Sequence, residues 1–145
     1  MGLDMYLKSS RHLWNVDDDT KEKIAESIDN LPDGVLPNQI GFDVGYSRKA
    51  NAIHKWFVDN VQSGNDDCGS YEVPREKLVE LLNICNQIIE RPELGEQLLP
   101  TQSGFFFGTV DYDEYYIEDI KDTVQIILRA LKLPEGYDIE YQSSW

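Results

Sequence analysis

The sequence predicts an α+β domain, with about five strands in a largely antiparallel or mixed sheet packed with about four helices. Three observations point there. Several segments alternate polar and apolar residues, the pattern of a sheet with one wet face. Between them lie stretches whose apolar residues recur at helical spacing. No strand runs into a glycine-rich phosphate loop, so the alternation of strands and helices does not read as a doubly wound nucleotide fold.

Each element has its own signal. In GLDMYLK, Leu3, Met5 and Leu7 fall on one side of a strand, with Asp4, Tyr6 and Lys8 on the other. In DDDTKEKIAESIDNL, Asp19 and Glu22 have capping-box spacing, and Ile24, Ile28 and Leu31 have helical spacing. PDGVLPN closes that element with turn residues. QIGFDVGY alternates again, so Ile40, Phe42, Val44 and Tyr46 are expected on one face and Gly41 and Gly45 on the other. A helix comes next, with Ser47 as its N-cap and Ile53, Trp56, Phe57 and Val61 as its apolar face.

QSGNDDCG reads as a loop and SYEV as a short strand. Pro74 suits the first turn of a helix whose buried stripe is Leu78, Leu81, Leu82, Cys85, Ile88 and Ile89, and Pro92 ends it. PTQSGFFFGTV predicts a polar loop running into a buried strand of three phenylalanines. DYDEYYIEDIKDTVQIILRALKL is a long helix with Ile117, Ile120, Val124, Ile127, Leu128 and Leu131 along one stripe. YDIEYQ alternates as a last strand.

The 145 residues suit a single domain spanning 1–145. Acidic residues outnumber basic ones 27 to 13, for a net charge of −14. General nucleic-acid binding and an anionic membrane are therefore disfavoured, since both need a basic footprint. A basic protein surface is a better match, and so is an imitation of DNA. Cys68 and Cys85 belong to no CxxC or zinc pattern. No cofactor motif or metal-ligand spacing is present, so neither a cofactor nor a metal is expected. MGLDMYLKSSRH has no long apolar run, and no other segment would span a bilayer. A cytoplasmic protein with reduced thiols is the expectation.

Against this acidity, one stretch is basic. GYSRKANAIHKWFVDN carries Arg48, Lys49, His54 and Lys55 around Asn51. On a helical wheel Arg48, Lys55 and Asp59 oppose the apolar arc, and His54 falls on its border. One reading is a helix N-terminus whose free N–H groups, with Arg48, Lys49 and Asn51, hold an anion. The other is a solvated basic face over a core. Gln102 and Ser103 in PTQSG add neutral groups suited to orienting a ligand, and Gly104 permits close approach. Cys68 follows Asp66 and Asp67, which disfavour its thiolate unless His54 or Arg48 folds over it. DYDEYY lacks the glycine and glutamate that a calcium loop needs at its sixth and twelfth positions.

The blocks MGLDMYL, SRKANAIHKWFVDN, DDCG, LLPTQSGFFFG and YQSSW resemble a family of small uncharacterised proteins of phages, prophages and some bacteria. That resemblance implies a phage-type accessory protein acting inside a bacterial cell, with 17–38, the region least like the family pattern, as a candidate variable insert, and it assigns no catalytic residue. Three functions stay open. The first is binding, and sequestration, of a small anionic ligand such as a nucleotide or phosphorylated metabolite, through Arg48, Lys49, Asn51, His54, Lys55, Gln102 and Ser103. The second is an acidic interaction module or DNA mimic that inhibits a host protein. The third is a small hydrolase or transferase using His54 and Cys68. The oligomeric state is left open.

Overall fold

The structure is a computed structural model that describes residues 2–145. The strands are β1 (Asp4–His12), β2 (Gln39–Arg48), β3 (Ser70–Glu72) and β4 (Tyr137–Ser144). They form one antiparallel sheet in the order β2-β1-β4-β3. The helices are α1 (Asp18–Glu26), α2 (Asn51–Asn60), α3 (Arg75–Glu90), α4 (Gly95–Leu98) and α5 (Glu114–Leu131), with a 3₁₀ turn at Pro92–Leu94. The α+β class holds, with four strands rather than five and five α-helices rather than four among the described residues.

The core follows the periodicities. Leu3, Met5 and Leu7 from one face of β1 and its approach meet Ile139 and Tyr141 of β4. Over them pack Ile53, Trp56 and Phe57 of α2, Leu78, Leu81, Cys85 and Ile88 of α3, and Tyr116, Ile120, Val124 and Ile127 of α5. The opposite face of the sheet is polar: Lys8 donates to Gln142 at 3.2 Å, and Ser70 to Glu140 at 3.2 Å. Burial pushes the Cys85 thiol up to about 12, so it packs as a small apolar group.

The missing fifth strand is the phenylalanine run. Phe107 N–H closes a turn onto the Gly104 carbonyl at 3.2 Å, and Gly108 has a φ of +83°. In that turn Phe107 is buried, Phe106 half-buried and Phe105 exposed, which no strand register would produce.

β2 also departs from its predicted facing. The β1–β2 pairing jumps from Leu7↔Gly45 to Lys8↔Asp43, leaving Val44 as a bulged extra residue. The bulge turns Gly45 toward α5 and Tyr46 toward the open face, where its hydroxyl donates to Asp4. A Cβ on Gly45 would lie 2.3 Å from Ile126 Cγ2, so any other residue would displace the Ile126 side chain. Phe42 is left partly exposed, tilted on Tyr137 with ring centroids 5.8 Å apart.

Two helix starts differ as well. Asp17, not Asp19, caps α1, accepting from the Thr20 N–H at 2.8 Å and hydroxyl at 2.9 Å. α1 buries no residue, and Ile28 and Leu31 lie beyond it, exposed. Ser47 is no N-cap, because β2 continues through Arg48 and Lys49 then turns the chain with a φ of +59°. Lys49 N–H bonds the Leu3 carbonyl at 2.8 Å, and α2 opens at Asn51 behind Ala50 with no side-chain cap.

Candidate functional site

α2 is buried on almost every side: Asn51, Ala52, Ile53, His54, Trp56, Phe57 and Val58 are all covered. The Lys55–Asp59 arc stays open as the wheel places it, but two loops wrap the borders of the helix and cover Asn51 and His54.

Asn51 fastens the first loop. Its amide donates to the Phe107 carbonyl at 2.9 Å and the Thr109 carbonyl at 2.8 Å, and its oxygen accepts the Gln102 N–H at 3.0 Å. One buried side chain thereby ties down both flanks of the phenylalanine turn. Leu3 N–H binds the Phe106 carbonyl at 3.0 Å and holds the turn against the start of β1.

His54 fastens the second loop. It is fully buried, not at a border. Its Nδ1 lies 2.7 Å from the Tyr141 hydroxyl and its Nε2 3.0 Å from Asp66 Oδ2. Asp66 Oδ1 in turn accepts the Trp145 indole N–H at 3.0 Å. Phe57 stacks under Tyr141 at 4.0 Å, and Phe107 stands edge-on to His54 at 5.3 Å. Burial pushes the Tyr141 phenol well above its ordinary range, with the Asp66 charge adding to it. Tyr141 thus keeps its proton, and when that hydroxyl donates to Nδ1 the Nε2–H is left to donate to the Asp66 carboxyl.

This chain of groups resembles an acid–base relay in its order, and its burial decides what it does. His54 and Tyr141 are buried, and the chain reaches solvent at its Asp66 and Trp145 end. In this conformation the chain cross-links α2, β4 and the loop after α2. Cys68 is half-buried in that loop, and both ring nitrogens of His54 are engaged by other residues. Neighbouring Asp67 accepts from Gly69 N–H and the Tyr71 hydroxyl, both at 2.9 Å, which hold its carboxyl below the usual range.

The basic residues do not share one pocket. Arg48 turns to Asp4, with Nε 3.7 Å from the carboxylate. Lys55 pairs with Asp59, one turn further along α2. Lys49 lies along Gly2 and Gly108, where added Cβ atoms would come within 3.2 Å of its side chain. Gln102 contributes its backbone N–H, and Ser103 is exposed. Asn51 and Gln102 are brought together, as are Arg48 and Lys49 around Gly2.

At the first turn of α2 lies a cleft of about 40 Å³, lined by Lys49, Thr101, Thr109, Asp111, Tyr115 and Asp119 among others. Burial, with Asp122 and Asp113 nearby, pushes the Asp119 carboxyl up to about 6. A water needs roughly 10–15 Å³ of such volume, so the cleft suits a few waters or one oxyanion and excludes a whole nucleotide.

Sequence reasoning singles out Asp66, Tyr141 and Trp145 but does not join them to His54, and it does not reach Asp119. Asp66 and Trp145 stand in the blocks DDCG and YQSSW, but His54 and Tyr141 are 87 positions apart and no local pattern joins them. Among the described residues no three His, Cys, Asp or Glu side chains gather to hold a metal, and no helix is long and apolar enough to cross a membrane. No protein-family model, curated protein or solved structure matches the chain.

Proposed function

We propose that the chain is a phage-type accessory protein that docks its acidic surface on a basic surface of a bacterial protein, with Phe105 as its apolar anchor. The observation that carries this reading is the state of Phe105, which is 94% exposed on a turn that is fixed from both sides. Asn51 and Leu3 hold that turn through four hydrogen bonds of 2.8–3.0 Å. A rigid exposed aromatic loses little freedom on binding, and aromatic anchors of this kind dominate interface energetics. Burying one is worth about 1.5–3 kcal/mol. The surrounding charge supports the same reading, because most of the acidic side chains face solvent without a cationic partner.

A photo-crosslinking amino acid at position 105, expressed in bacteria, tests this. One predominant adduct is expected, weakened by salt and absent when the probe sits at Val79, exposed on α3. Equal adducts from both positions count against the anchor.

The uncapped start of α2 favours a second reading, an oxyanion held at its first turn. Inorganic phosphate would then shift the Ala52 and Ile53 amide resonances, more at pH 5.5 than at 7.5, because a protonated Asp119 no longer repels it. Amides that stay unmoved at both pH values remove this reading.

A further inference from the structure

Between β1 and β2 the chain makes an excursion without a core: residues 14–38 include none that is buried. Its helix, α1, has nine residues. An isolated helix needs roughly 12–15 residues to persist in water, so α1 is marginal by itself. Residues 26–35 are exposed without a break. Among the described residues, the hydrogen bonds of 17–37 all close within that segment. The Leu13 N–H, 2.9 Å from the Asn38 carbonyl, ties the stem of this arm to the sheet.

The arm is nevertheless not polar throughout. Ile28, Leu31 and Val35 are 53%, 41% and 46% exposed. They line a hollow of about 550 Å³ whose walls all come from residues 22–36. That is the size of a ligand cleft, and the body of the protein does not close it.

Charge decides what can close it. Glu22, Glu26, Asp29 and Asp33 line the same hollow, and no cation does. None of the four is in an ion pair among the described residues. Across 17–38, seven acids face two lysines, a net charge of −5. Lys21 lies 3.9 Å from Asp18, and Lys23 is outside the walls of the hollow. At the stem, Arg11 lies over the Tyr137 ring and His12 is stacked on Trp14.

We infer that the arm closes on a cationic amphipathic segment of a partner protein. Aliphatic side chains of that segment fill the hollow against Ile28, Leu31 and Val35, and its lysines or arginines meet the four carboxylates. The segment supplies the core that the arm lacks, so binding orders the arm and steadies α1. A second copy does not fit, because two arms of like charge on chains of net charge −14 repel. Anionic lipid is disfavoured by the same sign. The inference stands apart from the Phe105 turn. That turn is tied to Leu3, ahead of β1, and the arm leaves the far end of the strand. The nine residues of β1 put about 30 Å between them.

The test titrates synthetic helical peptides of about 14 residues against the intact protein. One carries leucines on one face and lysines on the other. A second has glutamates for the lysines, and a third has serines for the leucines. The leucine–lysine peptide should bind at least about tenfold more tightly than either of the others. It should also slow hydrogen exchange across residues 18–36 at least about tenfold. Ile28→Ser/Leu31→Ser should weaken it about tenfold. Glu26→Lys/Asp29→Lys should do the same and flatten its salt dependence. Phe105→Ser and Val79→Ser should leave the affinity unchanged. Unaltered exchange within α5 shows that the arm variants are folded. Four results overturn the inference: no binding of the leucine–lysine peptide, equal binding of either other peptide, protection that falls outside the arm, or arm variants that bind as the unaltered protein does.

Discussion

At the scale of single residues, the fold depends on buried polar groups that satisfy one another. His54→Ala strips a partner from both Tyr141 and Asp66. The buried Tyr141 hydroxyl is left unpaired at a cost of about 1–3 kcal/mol, and the lost packing of the buried ring adds to it. Asp66 keeps Trp145 and solvent. A loss of roughly 3 kcal/mol or more in urea unfolding is expected, with Tyr141→Phe costing less because only Nδ1 is orphaned. Equal stability of the His54 variant would show that the chain of hydrogen bonds is not structural. Asp119 works in the other direction. Its folded value of about 6 lies above its ordinary value of 3.8, so its contribution is fully present below 3.8 and is lost as pH rises through 6. Asp119→Asn should therefore raise the melting temperature at pH 7.5, and the gain should shrink by pH 4. Only part of this network is legible in the sequence. His54 stands out as a residue, but its full burial depends on loops whose wrapping has no periodic signature.

The elements divide into those that carry their own pattern and those shaped by neighbours. α3 and α5 lie within their predicted stretches, because apolar stripes at helical spacing depend only on local sequence. Leu81 is fully buried on the α3 stripe, and Leu81→Ala should cost about 2–5 kcal/mol by chemical denaturation. β2 is the opposite case. Its alternation is real, but one extra residue at Val44 inverts the facing of Gly45 and Tyr46, and nothing in QIGFDVGY marks the slip. Gly45→Ala tests that geometry. The new methyl meets Ile126, so a loss of about 1–3 kcal/mol is expected, largely recovered in the Gly45→Ala/Ile126→Ala double variant relative to Ile126→Ala alone. Additive effects would place the clash elsewhere. The phenylalanine run misleads for a related reason, since three adjacent aromatics read as a buried strand while the turn between Gly104 and Gly108 divides them between core and solvent.

For the molecule as a whole, composition is a reliable guide to charge, and topology is hidden. A net charge of −14 on a chain of 145 residues repels itself, so stability should rise as salt is raised from low levels to about 0.5 M. A fall in the urea midpoint over that range would mean that specific ion pairs outweigh the repulsion. The strand order cannot be read from periodicity, because each pairing joins segments distant in sequence. β1 is central yet comes first, and its register sets Asp4 against Ser144. That pairing has a consequence for synthesis. While the chain leaves the ribosome, β1 has β2 available early but waits for its other neighbour until residues 137–144 have been made. α2 waits too, since the Tyr141 partner of His54 arrives with β4. The nascent chain must therefore stay soluble without its sheet, and a chain that stalls before β4 leaves the core side of β1 and α2 open to proteases.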